Sequence, residues 1–321
     1  MSNTPIAVAC QGGGSHTAFT AGVLQGVLEQ RPPEYEVVAL SGTSGGAICA
    51  ALAWDGLRRD SVEGAVDRLD AFWTEIAARD PWDRLLNATT QWGSRATSEF
   101  GSVGVSPYYH VGSVVARRRL RRAIERHVGF DDPVRGSPPN LYVGAVDVQS
   151  GRFETFVDGE GGADGLLASA AVPTVFRAAP VTLEDRTEYY WDGLFSQNPP
   201  IRQFVSEVPV EAKPEEIWIV RINPERRPDT PRSLDDIADR RNELSGNLSL
   251  RQEMHTIETV NELIDEGVIT DERYKRIRFR ELELSAALDV HSKLNRDRCF
   301  LEWLRERGRA QADELWAPET G

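Results

Sequence analysis

The sequence predicts an α/β protein: a three-layer α/β/α fold with a mostly parallel central sheet and additional C-terminal helices. Three observations predict it. Apolar runs at residues 6–10 and 217–222, the second interrupted only by Arg221, have the length and hydrophobicity of strands buried on both faces. Such runs alternate with stretches of helical periodicity, which implies a parallel sheet covered by helices on both sides. Two glycine-rich segments, Gly12-Gly13-Gly14 and Gly42-Thr43-Ser44-Gly45-Gly46, each stand between a strand and a helix.

In chain order, residues 6–10 form the first strand. Ala18, Phe19, Gly22, Val23, Gly26 and Val27 then recur at helical spacing, and Pro32-Pro33 lies just past that helix. Residues 36–40 form a second strand, 47–57 an apolar helix and 61–78 a further helix. Residues 81–110 lack periodicity but hold Trp82, Trp92, Phe100, Tyr108 and Tyr109. A long irregular aromatic segment is either functional, for example as a lid, or a surface loop tucked onto the core. Residues 111–128 read as a helix carrying Arg117, Arg118, Arg119, Arg121, Arg122 and Arg126. Such a run is first a solvated face; the sharper reading is a contact with anionic lipid headgroups, a peripheral membrane contact.

A strand follows at 141–148, with 152–157 able to pair with it, then a small-residue helix at 166–171 stopped by Pro173. Residues 189–191 end a strand at Asp192-Gly193, and 217–222 form another. A long helix spans 234–264 with Ile257, Val260 and Ile264 on one face, a last strand covers 277–284, and 290–316 reads as a closing amphipathic helix. Nothing demands a second domain. The expected organisation is one domain over 1–321, with a core over about 1–225 and a helical extension over about 230–321 packed on it.

With 40% hydrophobic and 27% charged residues in 321, the chain can build a sizeable core, which excludes disordered and fibrous classes. The longest apolar stretch, residues 45–54, is too short to span a bilayer. The first residues have no basic segment ahead of an apolar run, so a cytoplasmic location is expected. The net charge of −13 disfavours a duplex nucleic-acid partner. Cys10, Cys49 and Cys299 have no metal-ligand spacing and read as reduced, buried thiols. Neither a metal nor a cofactor is expected.

Gly42-Thr43-Ser44-Gly45-Gly46 matches the G-x-S-x-G elbow, with the strand before and the helix after that this motif needs. A serine on such a turn projects above the sheet beside a helix N-terminus, whose free N–H groups can meet a developing oxyanion. A helix-opening turn or phosphate loop is the plain alternative. Gly12-Gly13-Gly14 can aim several backbone N–H groups at one point, as an oxyanion hole needs. A nucleotide cradle is the alternative, but neither nucleotide-loop pattern is present. Asp192 ends an apolar strand ahead of a glycine, where α/β active sites assemble, although alone it could be a turn or cap residue. His255 and His291 lack a motif-like setting and read as surface histidines.

Taken together, the blocks Gly12-Gly13-Gly14, Gly42 to Gly46, residues 168–176, and Asp192-Gly193 followed by Asn198-Pro199-Pro200 resemble the patatin-like phospholipases, in their bacterial and archaeal form. The blocks cover roughly the first 200 residues, and their joint order is highly specific. A weaker likeness extends over residues 240–260.

The resemblance implies the patatin-like fold and a serine lipid acyl hydrolase with a Ser–Asp dyad and an acyl-enzyme intermediate. Ser44 would be the nucleophile and Asp192 the general base. Gly12, Gly13, Gly14 and Gly45 would supply the oxyanion hole, and His16 and Gly193 are candidates for support of the substrate site. The expected partner is an acyl lipid. The chain departs from the family where Gln11 replaces the usual acid before the glycines and His16 stands where Arg or Lys is common. His16 could fix the loop, sense charge near the oxyanion or simply open a helix. Other readings are an esterase, thioesterase or acyltransferase using soluble acyl donors, a non-catalytic scaffold, or an α/β hydrolase using His255 or His291.

Overall fold

The computed structural model describes residues 3–59, 61–78, 106–109, 111–130, 138–173, 175–206, 208–286, 288 and 290–316. Eight strands among them form one sheet: β1 (Thr4–Cys10), β2 (Tyr35–Thr43), β3 (Asn140–Asp147), β4 (Phe153–Val157), β5 (Ala179–Leu183), β6 (Arg186–Asp192), β7 (Glu216–Arg221) and β8 (Arg278–Glu283). Their order is β5-β6-β3-β2-β1-β7-β8, with β4 also paired to β3. From β3 through β2, β1 and β7 to β8 all neighbours are parallel. The antiparallel pairs involve β4, β5 and β6.

Alternation along the central strands divides the core in two. Ile6, Val8 and Cys10 of β1 and Trp218 and Val220 of β7 point to one face. That face is covered by α1 (Ala18–Gln30), α2 (Gly45–Arg59), α3 (Val62–Ile76), α4 (Val111–His127), α5 (Gly162–Ser169) and the closing helix Arg298–Trp316. Ala7 and Ala9 of β1 and Ile217 and Ile219 of β7 point to the other face. A short helix, α6 (Gln203–Ser206), and the long helix α7 (Leu234–Asp265) cover it through Phe204, Leu250, Met254 and Ile257. The closing helix, α8, packs along α1 with Leu301, Leu304 and Ala312 buried. The C-terminal third therefore supplies an edge strand and one helix on each face, and the three-layer architecture is the one expected.

Three elements differ from expectation. The strand β5 was hidden by Pro180, which sits on the exposed side of an edge strand while Ala179 and Val181 are buried. The small-residue helix runs over Gly162–Ser169 instead of 166–171, because Gly161, in the left-handed conformation, starts it early. The closing helix is broken in two. Val290–Leu294 is a 3-10 turn, and Asp297 then accepts the Phe300 N–H at 3.1 Å, which caps a fresh helix from Arg298.

Of the aromatic segment, residues 79–105 and 110 lie outside the described residues. Tyr108 and Tyr109 belong to a turn, Pro107–Tyr109, and are 50% and 85% exposed. On α4, Arg118, Arg119 and Arg122 are exposed, while Arg121 pairs with Asp164 and Glu125 and Arg126 pairs with Glu75. Most of that run is therefore the solvated face the sequence suggests. Cys10 and Cys49 are buried as expected, and burial pushes the Cys49 thiol up to about 12. Cys299 is not; it lies exposed in the first turn of α8. No helix among the described residues is long and apolar enough to cross a membrane.

If α8 completes the core, Leu304→Ala, at a fully buried position, lowers folding stability by about 2–5 kcal/mol. The midpoint of urea unfolding reports that loss.

Candidate active site

Ser44 is the single residue between β2 and α2. Its φ is 56°, in the left-handed region that non-glycine residues seldom occupy. Such strain persists where the surroundings enforce it. Here they do: the Ser44 N–H donates to Ser169 Oγ at 2.9 Å, and Ser169 Oγ donates to the Gly144 carbonyl at 2.6 Å. Just before the turn, Thr43 Oγ1 donates to the Gln197 carbonyl at 2.6 Å.

The sheet register brings Asp192 to this turn. Gly144 of β3 pairs with Thr43 of β2, the last pair along that strand. The next residue, Ala145, pairs with Asp192 of β6. Adjacent residues of one strand thus hold the chain just before Ser44 and the residue that follows an entirely different route. A Cβ on Gly193 would lie 2.6 Å from the Gly144 carbonyl, so the turn after Asp192 needs a glycine to approach β3 this closely.

Asp192 is fully buried. Burial pushes its carboxyl up to about 7, against the Leu194 N–H, which donates to Oδ1 at 2.9 Å, and the Ser44 hydroxyl. Oδ2 is buried and, among the described residues, meets no donor at ordinary hydrogen-bond geometry. The carboxylate therefore keeps acceptor capacity beside the serine hydroxyl.

Both glycine segments meet at Ser44. A Cβ on Gly12 would lie 2.8 Å from the Ser44 Cβ, and one on Gly45 would lie 3.0 Å from the Gly14 carbonyl. The Gly12 N–H, however, donates to Asn198 Oδ1 at 2.7 Å. That amide is committed, which corrects the expectation that Gly12 is a free oxyanion donor. Among the described residues, no acceptor meets the N–H groups of Gly13, Gly14 and Gly45. Gly45 is also the first residue of α2, whose first N–H groups lack intrahelical partners.

Residues that motif reading passed over hold this arrangement. Gln11 is fully buried. Its Oε1 accepts the N–H groups of Ile222 and Asn223 at 3.0 and 3.1 Å, and its Nε2 donates to Asn247 Oδ1 at 2.9 Å. Asn223 Nδ2 donates to the Gly12 carbonyl at 2.9 Å. An amide at position 11 serves both a donor and an acceptor; an acid would leave Asn247 Oδ1 facing a second acceptor. Glu253 of α7 accepts Gln197 Nε2 and the N–H groups of Ile201 and Arg202 at 2.8 to 3.1 Å, which straps the loop after Asp192. The only sequence signal for this support was the Asn198-Pro199-Pro200 run; partners on α7 lie about 50 residues away.

His16 is a buried loop anchor. Its Nε2 meets Ser292 Oγ at 2.7 Å, and its ring packs edge-on against Phe300. Burial, with Lys293 nearby, lowers its pKa to about 3, so it is neutral at physiological pH. His255 is exposed on α7, and His291 lies in the Val290–Leu294 turn.

A family profile described as patatin-like phospholipase matches residues 8–205. The chain belongs to this family. As a patatin-like phospholipase it is an ester-bond hydrolase of the lipid acyl hydrolase type. Among solved structures, VipD from Legionella pneumophila is similar over 98% of this chain and 67% of its own, at 12% identity and a TM-score of 0.40. The type III effector ExoU is similar over 98% of this chain and 53% of its own, at 16% identity and a TM-score of 0.36. Full-length ExoU from Pseudomonas aeruginosa, solved in complex with SpcU, gives 15% identity over 99% of this chain and 72% of its own, with a TM-score of 0.27. No curated protein matches the sequence.

The raised pKa of Asp192 has a stability consequence of definite sign. The folded state favours the protonated acid, so this stabilisation is complete below the ordinary carboxyl value of 3.8 and is lost as pH rises through about 7. Asp192→Asn, which mimics the protonated acid, therefore gains Tm relative to wild type as pH rises from 5 to 8. Melting curves across that range check it, and a constant Tm difference contradicts it.

Proposed function

We propose that this patatin-like phospholipase hydrolyses acyl lipids through a Ser44–Asp192 dyad and an acyl-enzyme intermediate. One observation carries the reading: a serine in the left-handed conformation at a strand-to-helix turn, interacting with a fully buried aspartate.

Asp192 in its ionised form takes the Ser44 hydroxyl proton as Oγ adds to the ester carbonyl. The tetrahedral oxyanion that forms meets the free N–H groups of Gly13, Gly14 and Gly45 at the positive end of α2. Collapse breaks the bond to the alcohol, which leaves with the proton carried by Asp192. Water then adds to the acyl-enzyme, gives its proton to Asp192, and releases the fatty acid as Ser44 recovers its proton. An aspartate of ordinary pKa is a weak base; burial raises the basicity of Asp192 toward that of the hydroxyl it must serve. His16, neutral and hydrogen-bonded to Ser292, positions the glycine loop and takes no part in proton transfer.

Intact-mass spectrometry after incubation with a fluorophosphonate tests the nucleophile. One adduct is expected on wild type and none on Ser44→Ala; an adduct retained by Ser44→Ala refutes the assignment. The base is tested by the pH profile. Activity needs ionised Asp192, so kcat/KM rises with pH through about 7. Asp192→Asn loses about 100- to 10,000-fold in rate and this rise with it. Faster turnover of short soluble esters than of micellar phospholipid would favour the soluble-donor reading.

A further inference from the structure

We infer that Arg117 and Arg177 form a subsite for the phosphate of a phospholipid substrate, at the mouth of an apolar cleft beside the dyad. This inference rests on the lipid acyl hydrolase reading above and assigns its headgroup recognition.

The cleft is lined by Arg117 of α4, Leu167 and Ala170 at the end of α5, then Ala171, Phe176 and Arg177. Its floor is the stretch of chain that holds both dyad residues. Ser169 Oγ accepts the Ser44 N–H, and the Ala171 carbonyl accepts the Asp192 N–H at 3.0 Å. A group held at its rim lies next to the backbone that positions the chemistry. The interior offers only about 10 Å³, which is room for roughly one water, so a phosphate belongs at the rim with the guanidinium groups.

Both arginines are short of counter-charge. Arg117 has one carboxylate neighbour among the described residues, Asp164 at 3.6 Å, and Asp164 is already in closer contact with Arg121. Burial pulls the Arg117 pKa below its ordinary value, which Asp164 only partly offsets. Arg177 has no carboxylate partner among the described residues. It donates to the carbonyls of Pro107 and Tyr108 at 3.3 and 2.5 Å and lies over the Tyr108 ring at 5.5 Å. Among the described residues, three of its five N–H donors meet no acceptor. Half-exposed Tyr108 stands at this rim, the residue type that sits at the headgroup level of a bilayer.

The cations nearer the glycine loop cannot serve. His16 is neutral, and Lys293, whose carbonyl abuts Gly14, has its ammonium group on Asp239 at 2.7 Å. In a chain of net charge −13, a guanidinium that shares its one carboxylate with Arg121, and a second with no carboxylate partner among the described residues, single out an anion attached to an apolar body. A lipid phosphate, met bidentately by arginine, is that anion.

The test compares wild type, Arg117→Gln, Arg177→Lys, Arg177→Gln and Arg118→Gln on neutral-detergent micelles carrying either phosphatidylglycerol or diacylglycerol. Arg118 is exposed on the same helix and controls for general charge. The expected result is a loss of about tenfold in the kcat/KM ratio of phosphatidylglycerol over diacylglycerol for Arg117→Gln and Arg177→Gln. Arg177→Lys, which keeps the charge but not the fork, loses part of it. Arg118→Gln retains the wild-type ratio. An unchanged ratio in Arg117→Gln, or an equal loss in Arg118→Gln, overturns the subsite. Equilibrium binding of the same micelles to Ser44→Ala, with and without Arg117→Gln, separates this inference from the catalytic one. If wild type cleaves neither lipid, the dyad reading fails, while a phosphatidylglycerol preference in Ser44→Ala that Arg117→Gln abolishes sustains the subsite.

Discussion

The register of β3 is the constraint on which the candidate site depends. Gly144 pairs with Thr43 and Ala145 with Asp192, so two distant segments are set side by side by main-chain hydrogen bonds. A sheet register cannot slip by one residue without turning every side chain to the opposite face, and both faces here are packed. The separation of the Ser44 turn from Asp192 is therefore fixed by the core as a whole and not by the side chains of the site. Ser169 reinforces the same point, since it accepts from Ser44 and donates to Gly144.

That placement sets the electrostatics. Asp192 sits at full burial between strands and turn, where desolvation outweighs its two favourable hydrogen bonds. The same desolvation keeps His16 neutral and the thiols of Cys10 and Cys49 protonated. Burial thus raises one carboxyl toward neutral pH and leaves three other groups uncharged. What distinguishes them is the neighbour: only Asp192 faces the serine hydroxyl with an unpaired oxygen.

The long helix α7 carries the load on the opposite side of the sheet. Its apolar residues Leu250, Met254 and Ile257 seal the second core, while Asn247 and Glu253 reach the glycine loop and the loop after Asp192. Buried amide networks of this kind are stable only when every member is satisfied, and that requirement ties the glycine loop, β7 and α7 into one unit. It also accounts for Gln11, the departure from the family pattern: the partner that makes an amide suitable there is another amide on α7.

The sequence by itself determined the layered fold, the strand and helix alternation and the two residues at the centre of the candidate site. These are written in local terms: apolar period, glycine at turns, and a serine between a strand and a helix. What escaped it was of two kinds. Local signals failed where one residue type carries conflicting meanings, as with Pro180 on an edge strand and Asp297 capping a helix inside an unbroken amphipathic pattern. Long-range roles failed because no local pattern encodes them. That Asn198 occupies the Gly12 amide, that His16 ends on Ser292, and that Arg117 and Arg177 share a cleft depend on contacts between segments 60 to 276 residues apart. Only tertiary packing decided them, because hydrogen bonds and desolvation act on distance in space and are blind to separation along the chain.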